Sequence, residues 1–199
     1  GMPDPDQNAR LRSAIQAAKA ASFPRENIER AIKKSSDKAM DSFEEIRYEG
    51  FGPAGTSIIV EALTDNRNRS AADVRAIFQK NGGSFAESGS VSHQFIRYGF
   101  LKYPSTISSQ DDFFSSAIEA GAEDCLFEDD SFEALCLPEN LSIFYSSLET
   151  IFSEPESSGF LWKPSSLVEV TGEKVKTLFN LLNELDDNED VQSVFSNYD

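Results

Sequence analysis

The sequence predicts an α+β protein, because segments with the two-residue period of strands alternate with segments of helical period along most of the chain. The 199 residues are 39% hydrophobic and include 16 Phe, which is enough for a buried core and excludes wholesale disorder. No apolar run approaches the roughly 18 to 20 residues of a membrane span. One His and two Cys exclude a zinc site of the ordinary Cys/His type and a disulfide scaffold.

Two amphipathic helices are predicted at the start of the chain. The first covers residues 7–21, where Leu11, Ile15 and Ala18 recur at helical spacing. The second begins near Pro24, because proline suits the first position of a helix, where its missing N–H needs no partner. Two short helices cannot form a good core alone, so we expect a third element from upstream or from a neighbouring domain.

The next part of the chain predicts a β-β-α-β unit. Strands are expected at 45–49 and 56–64, where β-branched and aromatic residues suit a pleated sheet. Ser70 is expected to cap the following helix. That helix should end at the Asn-Gly-Gly of residues 81–83, because these residue types tolerate positive φ. The next strand is predicted at 91–97.

The following segment predicts a second unit with the order β-α-β-β-α-β, which is that of ferredoxin-like domains. Its first helix is expected to bury Phe114, Ala117 and Ile118, which lie on one helical face. A hairpin turn is expected at Asp130 and Ser131. The predicted elements are a strand at 100–103, a helix at 111–120, strands at 124–128 and 132–137, a helix from 138 and a strand at 160–162.

A last helix at 173–185 and a last strand at 191–195 have no partner nearby, so we predict that they pack against residues 56–97. The helix is expected to bury Val175, Leu178, Phe179 and Leu182. The fold class is therefore α+β, with an N-terminal helical domain followed by two ferredoxin-like α+β domains, the second inserted in the first. The predicted domains are 1–43 (helical), 44–99 plus 166–199 (central and discontinuous) and 100–165 (acidic and inserted).

Charge divides the chain into two different halves. Residues 1–100 carry 14 Lys and Arg against 13 Asp and Glu, a net charge of +1. Residues 101–199 carry 4 against 21, a net charge of −17. A polyanion repels phosphates, so contact with nucleic acid is expected from the N-terminal half. A solvated surface that keeps the protein soluble is the ordinary explanation of the acidic half.

A glycine-rich run at residues 50–55 matches the dinucleotide pattern G-x-G-x-x-G by its letters. That mechanism requires a helix after the third glycine, because the helix N-terminus receives the pyrophosphate. A predicted strand follows instead, and Pro53 removes one backbone donor from the loop. We therefore interpret the run as a turn.

Two arginines, Arg67 and Arg69, lie between a strand end and a helix start. Together with exposed backbone N–H groups they are able to hold a phosphate, although a polar connector with Ser70 as its cap is the alternative. Further basic residues concentrate on the two N-terminal helices, where they are candidate phosphate contacts or a solvated face. These residues are Arg10, Arg12, Lys19, Arg25, Arg30, Lys33 and Lys34.

No enzyme signature is recognisable. His93 is predicted in a strand without the pattern of a Ser or Cys nucleophile around it. Cys125 and Cys136 are symmetric about the predicted hairpin turn, which would bring them opposite each other as buried thiols. The acidic run 128–130 lacks the ligand register of an EF-hand.

Several segments of the chain together form a recognisable pattern, namely NARLR (8–12), PRENIERAIKK (24–34), YEGFGP (48–53), LTDNRNR (63–69), KNGG (80–83) and DVQSVFSN (190–197). In these segments the sequence resembles the YebC family of regulatory proteins. The match is specific in residues 8–97 and looser between 100 and 165, where AIEAGAED (117–124) stands out.

The resemblance implies three domains and a non-enzymatic role. Family members are described as DNA-binding transcriptional regulators in bacteria and as translational activators of cytochrome c oxidase subunit I in mitochondria, with a proposed role at stalled ribosomes. They also begin with a further basic arm, including Gly-His-Ser-Lys-Trp, which lies upstream of the position that matches Gly1 of this chain. Without that arm we expect weaker phosphate contacts.

We therefore expect a regulator of gene expression that binds DNA, RNA or the ribosome through its N-terminal half. The alternative is a protein-interaction module whose acidic ferredoxin-like domain docks a basic protein. A third class is small-molecule sensing in a cleft between the α+β domains. No cofactor, no metal, no membrane contact and a monomer are expected. Two cysteines and no apolar leader favour the cytoplasm, or the mitochondrial matrix in a eukaryote.

Overall fold

The computed structural model describes residues 43–199 together with some helical residues nearer the start, namely Leu11, Ala14, Ile15, Ala18, Arg25, Asn27, Ile28, Glu29, Ala31 and Ile32. From residue 41 onward the chain divides into two compact units. The first unit contains residues 41–96 and 162–199, and the second contains residues 97–161. None of the helices among the described residues has the length and apolar character needed to cross a membrane.

The helices and strands follow one another in an α+β pattern, which confirms the predicted class. In chain order they are β1 (Glu44–Phe51), β2 (Ser57–Thr64), α1 (Arg67–Lys80), β3 (Ser84–Ala86), β4 (Phe95–Pro104), α2 (Gln110–Glu119), β5 (Asp124–Glu128), β6 (Ser131–Cys136), α3 (Leu141–Phe152), β7 (Ser157–Pro164), α4 (Glu173–Asp186) and β8 (Val191–Ser196).

The first unit is built on a four-stranded sheet of order β3-β1-β2-β8. β8 pairs antiparallel with β2, so that Ile59 lies opposite Phe195. The predicted return of the last strand to the middle of the chain is therefore confirmed. This unit starts from the β1–β2 hairpin, so its connectivity differs from the ferredoxin-like order of the second unit.

The core of the first unit lies between its sheet and the helices α1 and α4. Helix and sheet approach closely at Gly50, where an added Cβ would lie 2.6 Å from the Phe78 ring. Leu181 and Leu185 are buried in α4, whereas the predicted core residue Phe179 is exposed and packs edge-on against Tyr198 at 5.5 Å. The helix therefore presents a face rotated from the predicted one. Other buried members of this core are Tyr48, Ile58, Val60, Ala62, Val74, Val170, Leu178 and Val191.

The segment predicted as a strand at 91–97 is different in the structure. Residues Ser92–Gln94 form a 3₁₀ turn, β4 starts only at Phe95, and β3 is an additional short strand that the sequence does not predict. The backbone N–H groups of Val91 and Ser92 donate to the carboxylate of Glu49. These donors are consequently not available to a strand ladder, which explains the later start of β4.

The second unit has the sheet order β5-β6-β4-β7, and its chain order β-α-β-β-α-β is the ferredoxin-like one. Phe113 of α2 is fully buried and stacks on Phe132, with ring centroids 4.7 Å apart. The predicted core residue Ile118 is 65% exposed, and Phe114 is only partly buried. Ser109 caps α2, and the face with Phe113 and Ala117, four residues apart, meets the sheet.

The hairpin of the second unit turns one position earlier than predicted, which changes every pairing across it. Asp129 and Asp130 occupy the turn with φ of 49° and 56°, which suits the tight turns that close hairpins. Cys125 consequently lies opposite Ala134, and Cys136 lies opposite Gly99 of β4. The expectation that the two thiols face each other across the hairpin is wrong. Both are free cysteines.

Candidate nucleic-acid interface

The start of α1 positions the two predicted phosphate-binding arginines. Asn66 caps this helix, because its side-chain oxygen accepts a hydrogen bond of 3.1 Å from the Arg69 N–H. Its own N–H donates to the Thr64 hydroxyl at 3.0 Å. The predicted cap, Ser70, instead lies inside the helix, where its buried hydroxyl has no hydrogen-bond partner among the described residues. Arg67 and Arg69 are therefore in the first helical turn rather than in a connector.

The charge of Arg69 is engaged within the fold. Its guanidinium lies 2.9 Å from Asp65 and 3.1 Å from Asp190. The hydrogen bond to Asp190, followed by that to Asp65, raises the pKa of Arg69. Asp190 also accepts a hydrogen bond of 2.9 Å from the Thr64 hydroxyl. A phosphate at Arg69 would have to compete with these two carboxylates.

Arg67 instead faces an open groove of about 560 Å³ between β1, α1 and residues 85–88. Arg75 lies on the same wall, eight residues further along α1, so that the two Cα positions are about 12 Å apart along the helix axis. Ala71 lies between them and leaves the wall open. The residues that line the groove are Ile46, Arg47, Tyr48, Glu49, Arg67, Ala71, Arg75, Phe85, Ala86, Glu87 and Ser88.

Aromatic rings hold two of the groove arginines in place. The Arg75 guanidinium carbon lies 5.0 Å from the centroid of the Phe85 ring, a cation–π contact. Phe85 in turn packs against Tyr48 at 5.7 Å, and the Tyr48 hydroxyl donates to the Arg67 carbonyl at 3.4 Å. On β1, Arg47 lies 5.0 Å from the Trp162 ring. The guanidinium groups of Arg75 and Arg47 are therefore oriented before any ligand arrives.

Glu49, a buried residue of β1, fixes the chain segment at the rim of the groove. It is 1% exposed, and its carboxylate accepts hydrogen bonds of 3.0, 2.7 and 3.0 Å from the N–H groups of Gly89, Val91 and Ser92. Burial raises the pKa of Glu49, but these backbone hydrogen bonds outweigh it, so the pKa lies below its ordinary value. An ionised Glu49 thus anchors the segment that follows Ser88.

The groove carries an excess of unpaired positive charge. Arg67 and Arg75 are exposed, and within the described part of the chain neither makes an ion pair. The carboxylate of Glu49 is occupied by backbone N–H groups and lies 3.4 Å from Arg47. Glu87 at the rim is the other acidic residue. A site of this composition attracts anions, and guanidinium groups suit phosphate in particular.

Most of the other predicted basic residues lie outside the described residues, namely Arg10, Arg12, Lys19, Arg30, Lys33 and Lys34. Arg25 is helical and exposed, and its guanidinium lies 2.7 Å from Glu29. Sequence reasoning missed Arg47 and Arg75. Arg75 had a usable signal, because residues four and eight apart fall within one broad stripe along a helix. Arg47 had none, because its place in the groove depends on strand pairing.

Other candidates lead to no second site. His93 is exposed in the 3₁₀ turn. Burial raises the pKa of Cys136 to about 11, so this thiol is protonated near neutral pH. The glycine-rich run forms a turn at Pro53–Gly55 that leads into β2, as predicted. Across the described residues, no three His, Cys, Asp or Glu side chains cluster in a way that could hold a metal ion.

Comparisons with known proteins cover the whole chain. The family model of the TACO1/YebC second and third domain matches residues 43–198, and that of the TACO1/YebC protein N-terminal domain matches residues 1–38. A probable transcriptional regulatory protein of Zymomonas mobilis is 46% identical over 199 residues, which are 100% of this chain and 80% of the relative. The crystal structure of a conserved hypothetical protein from Aquifex aeolicus matches with a TM-score of 0.83 and 40% identity, covering 100% of this chain and 83% of the other.

Proposed function

Because the chain belongs to the TACO1/YebC family, we propose that it is a non-catalytic regulator of gene expression that binds nucleic acid through its N-terminal half. The nucleic acid is either free DNA or RNA or the RNA of the ribosome. The Zymomonas mobilis relative is named as a probable transcriptional regulatory protein, which supports a regulatory role. The family resemblance seen in the sequence is confirmed by these matches.

The groove of the first unit is the observation that carries the binding proposal. Arg67 and Arg75, which make no ion pair among the described residues, both line this concave surface. A concave surface allows several protein groups to contact one ligand. Guanidinium groups stay protonated at all ordinary pH values and have no acceptor. They are suited to holding phosphate and not to transferring protons, which supports a binding role over a catalytic one.

The distribution of charge along the chain supports binding through the N-terminal half. The N-terminal 100 residues have a net charge of +1, and the remaining 99 have a net charge of −17. A large anionic partner is repelled by the acidic second unit. The first unit is acidic as well, because residues 41–96 and 162–199 carry 8 Lys and Arg against 16 Asp and Glu, so its attraction for phosphate would come from the unpaired groove arginines and not from its net charge. The basic residues of 10–34 would extend this contact, although they remain a prediction from sequence.

A salt titration of oligonucleotide binding tests the proposal. Labelled RNA and DNA are titrated with the 199-residue chain at several salt concentrations, and ribosome association is followed in gradients with and without RNase. Replacing both Arg67 and Arg75 by Ala should weaken binding. It should also reduce the slope of log K against log salt concentration by about two units at most. Lys80→Ala is the matched control, because Lys80 lies on the same helix but is paired with Glu184 at 2.8 Å. Absence of wild-type binding, or a double variant that binds normally, would overturn the proposal.

A protein-binding role of the second unit is the alternative that one observation favours. The outer face of α3 exposes Ile143 (71%) and Ile151 (55%). The hydroxyls of Ser147 and Thr150 donate back to helix carbonyls at 3.0 and 2.9 Å, so this face offers few polar groups. Residues 97–161 carry 2 basic and 13 acidic residues, which would suit a basic protein partner.

The ribosome gradient separates the two functions. If Ile143→Ser with Ile151→Ser abolishes ribosome association while binding of free oligonucleotides is unchanged, the second unit makes a protein contact. If the arginine double variant alone loses association, the nucleic-acid proposal holds. The thermal midpoint of each variant checks that it is folded.

A further inference from the structure

We infer that the groove binds an unpaired nucleotide segment, with one base lying on the Arg75 guanidinium and a phosphate held by Arg67. This inference rests on the proposed function and specifies the form of the nucleic acid. It depends on the shape of the groove, on the aromatic support of its arginines and on the spacing of its charges.

The shape of the groove favours a single strand. Its volume of about 560 Å³ lies within the roughly 300 to 1,000 Å³ of sites that enclose small ligands. A nucleotide therefore fits between the α1 wall and the β1 wall. A duplex is far wider than one nucleotide, and its base edges are read by helices or β-ribbons that enter its grooves, so within this groove a duplex would not place its bases on Arg75. An unpaired base is able to enter the groove from the side.

Arg75 provides a platform for that base. Its guanidinium lies on Phe85 at 5.0 Å, and the Phe85 ring is itself fixed by an edge-on contact with Phe78 at 6.3 Å. The guanidinium is thus supported by an aromatic ring, and Arg75 is exposed and lines the groove. Unpaired bases stack on aromatic rings and on Arg planes. Because Arg75 is oriented beforehand, little side-chain entropy is lost on binding.

Arg67 is suited to a phosphate of the strand. Arg67 lies in the first turn of α1, where the positive end of the helix dipole adds to its own charge. The axial distance of about 12 Å between Arg67 and Arg75 exceeds the roughly 3.4 Å rise between stacked nucleotides, so the two arginines would contact different nucleotides of one strand. Glu87 at the rim repels phosphate, which places the backbone nearer to α1.

A direct comparison of strands tests the inference. The full chain is titrated with a labelled single-stranded RNA, a single-stranded DNA and the matching duplexes. We expect single strands to bind about tenfold or more tightly than duplexes. Arg75→Lys keeps the charge but removes the planar group, so it should weaken single-strand binding about fivefold or more while the salt slope stays unchanged. Arg67→Ala should weaken binding and lower the salt slope by about one unit.

A matched control exists in the second unit. The Arg97 guanidinium lies 4.6 Å from the Phe160 ring. This is a cation–π contact between Arg and Phe, like that of Arg75 with Phe85, but it lies outside the groove. Arg97→Lys should leave oligonucleotide binding unchanged, whereas Arg75→Lys should not. Circular dichroism and the thermal midpoint verify that both variants are folded.

The outcomes separate this inference from the proposed function. Equal affinity for duplex and single strand, or an Arg75→Lys variant that binds normally while the Arg67 and Arg75 double variant is weakened, overturns the inference alone. Absence of binding to every nucleic acid and to ribosomes overturns both. An acidic peptide is the remaining occupant to exclude. Among the described residues β3 pairs only with Glu49–Phe51 of β1, so it is an edge strand of the sheet. A peptide could pair with its open side. If such a peptide binds more tightly than the oligonucleotides and Arg67→Ala releases it, the groove is a protein-binding site instead.

Discussion

Asp190 and Arg69 form an ion pair of 3.1 Å although they are 121 positions apart in the sequence. The same carboxylate accepts a hydrogen bond from Thr64. Asp190 thereby joins the end of β2, the first turn of α1 and the approach to β8. This contact stabilises the first turn of α1. Arg69 is therefore engaged in an ion pair within the fold, whereas Arg67 lines the groove.

Replacing the two arginines one at a time should separate stability from binding. Arg69→Ala should lower the thermal midpoint, because Asp190 and Asp65 lose their partner, and this loss should shrink as salt screens the ion pair. Arg67→Ala should leave the midpoint within the range of ordinary surface changes and should weaken oligonucleotide binding. Differential scanning fluorimetry and fluorescence anisotropy on the same samples provide both readouts. If Arg69→Ala weakens binding as much as Arg67→Ala, Arg69 also contacts phosphate, as the sequence predicts.

Substitutions at Asn66 and Ser70 should show which residue caps α1. Asn66→Ala removes the side-chain acceptor of the Arg69 N–H and should cost roughly 0.5 to 2 kcal/mol. Ser70→Ala removes a buried hydroxyl without a partner among the described residues and should be neutral or slightly stabilising. Urea unfolding of the two variants beside the wild type measures both changes. The opposite ranking would restore Ser70 as the cap.

Glu49 should make the stability of the fold depend on acidity. Its pKa in the folded protein is lowered from the ordinary value of 4.5, so the ionised form contributes stability that is fully present above that value. This contribution is lost as the pH falls through the lowered pKa, because the folded state then binds the proton less readily than the unfolded state.

The Glu49→Gln variant isolates this contribution. The difference in unfolding free energy between wild type and variant should be largest near neutral pH and should shrink as the pH falls from about 7 to 3. Chemical denaturation at each pH gives the difference. A constant difference over that range would mean that the charge of Glu49 does not stabilise the rim segment.

Core substitutions should distinguish the two faces of α2. Phe113→Ala removes a fully buried ring that stacks on Phe132 and should destabilise by about 3 to 5 kcal/mol. Ile118→Ala, on the exposed face, should change stability by less than about 0.5 kcal/mol. The comparison uses urea denaturation followed by circular dichroism. A large effect at Ile118 would show that this side chain is covered in solution.

Much of the architecture follows from local patterns in the sequence. The strand and helix periods predict most elements to within a few residues, and the glycine run is correctly excluded as a nucleotide loop because a strand follows it. The return of β8 to β2 could also be predicted, since an amphipathic strand without a local partner has to bury its apolar face elsewhere. These predictions depend on spacing and composition alone.

Tertiary structure decided the features that involve distant residues. Whether Phe113 or Phe114 enters the core depends on how α2 rotates against its sheet, and the separation of Cys125 from Cys136 depends on the hairpin register. The engagement of Arg69 by Asp190 and the convergence of Arg47 and Arg75 on one groove require that separate segments first pair and pack. Periodicity determines which side chains share a face of one element, whereas the partner across from that face is set by packing between elements far apart in the chain.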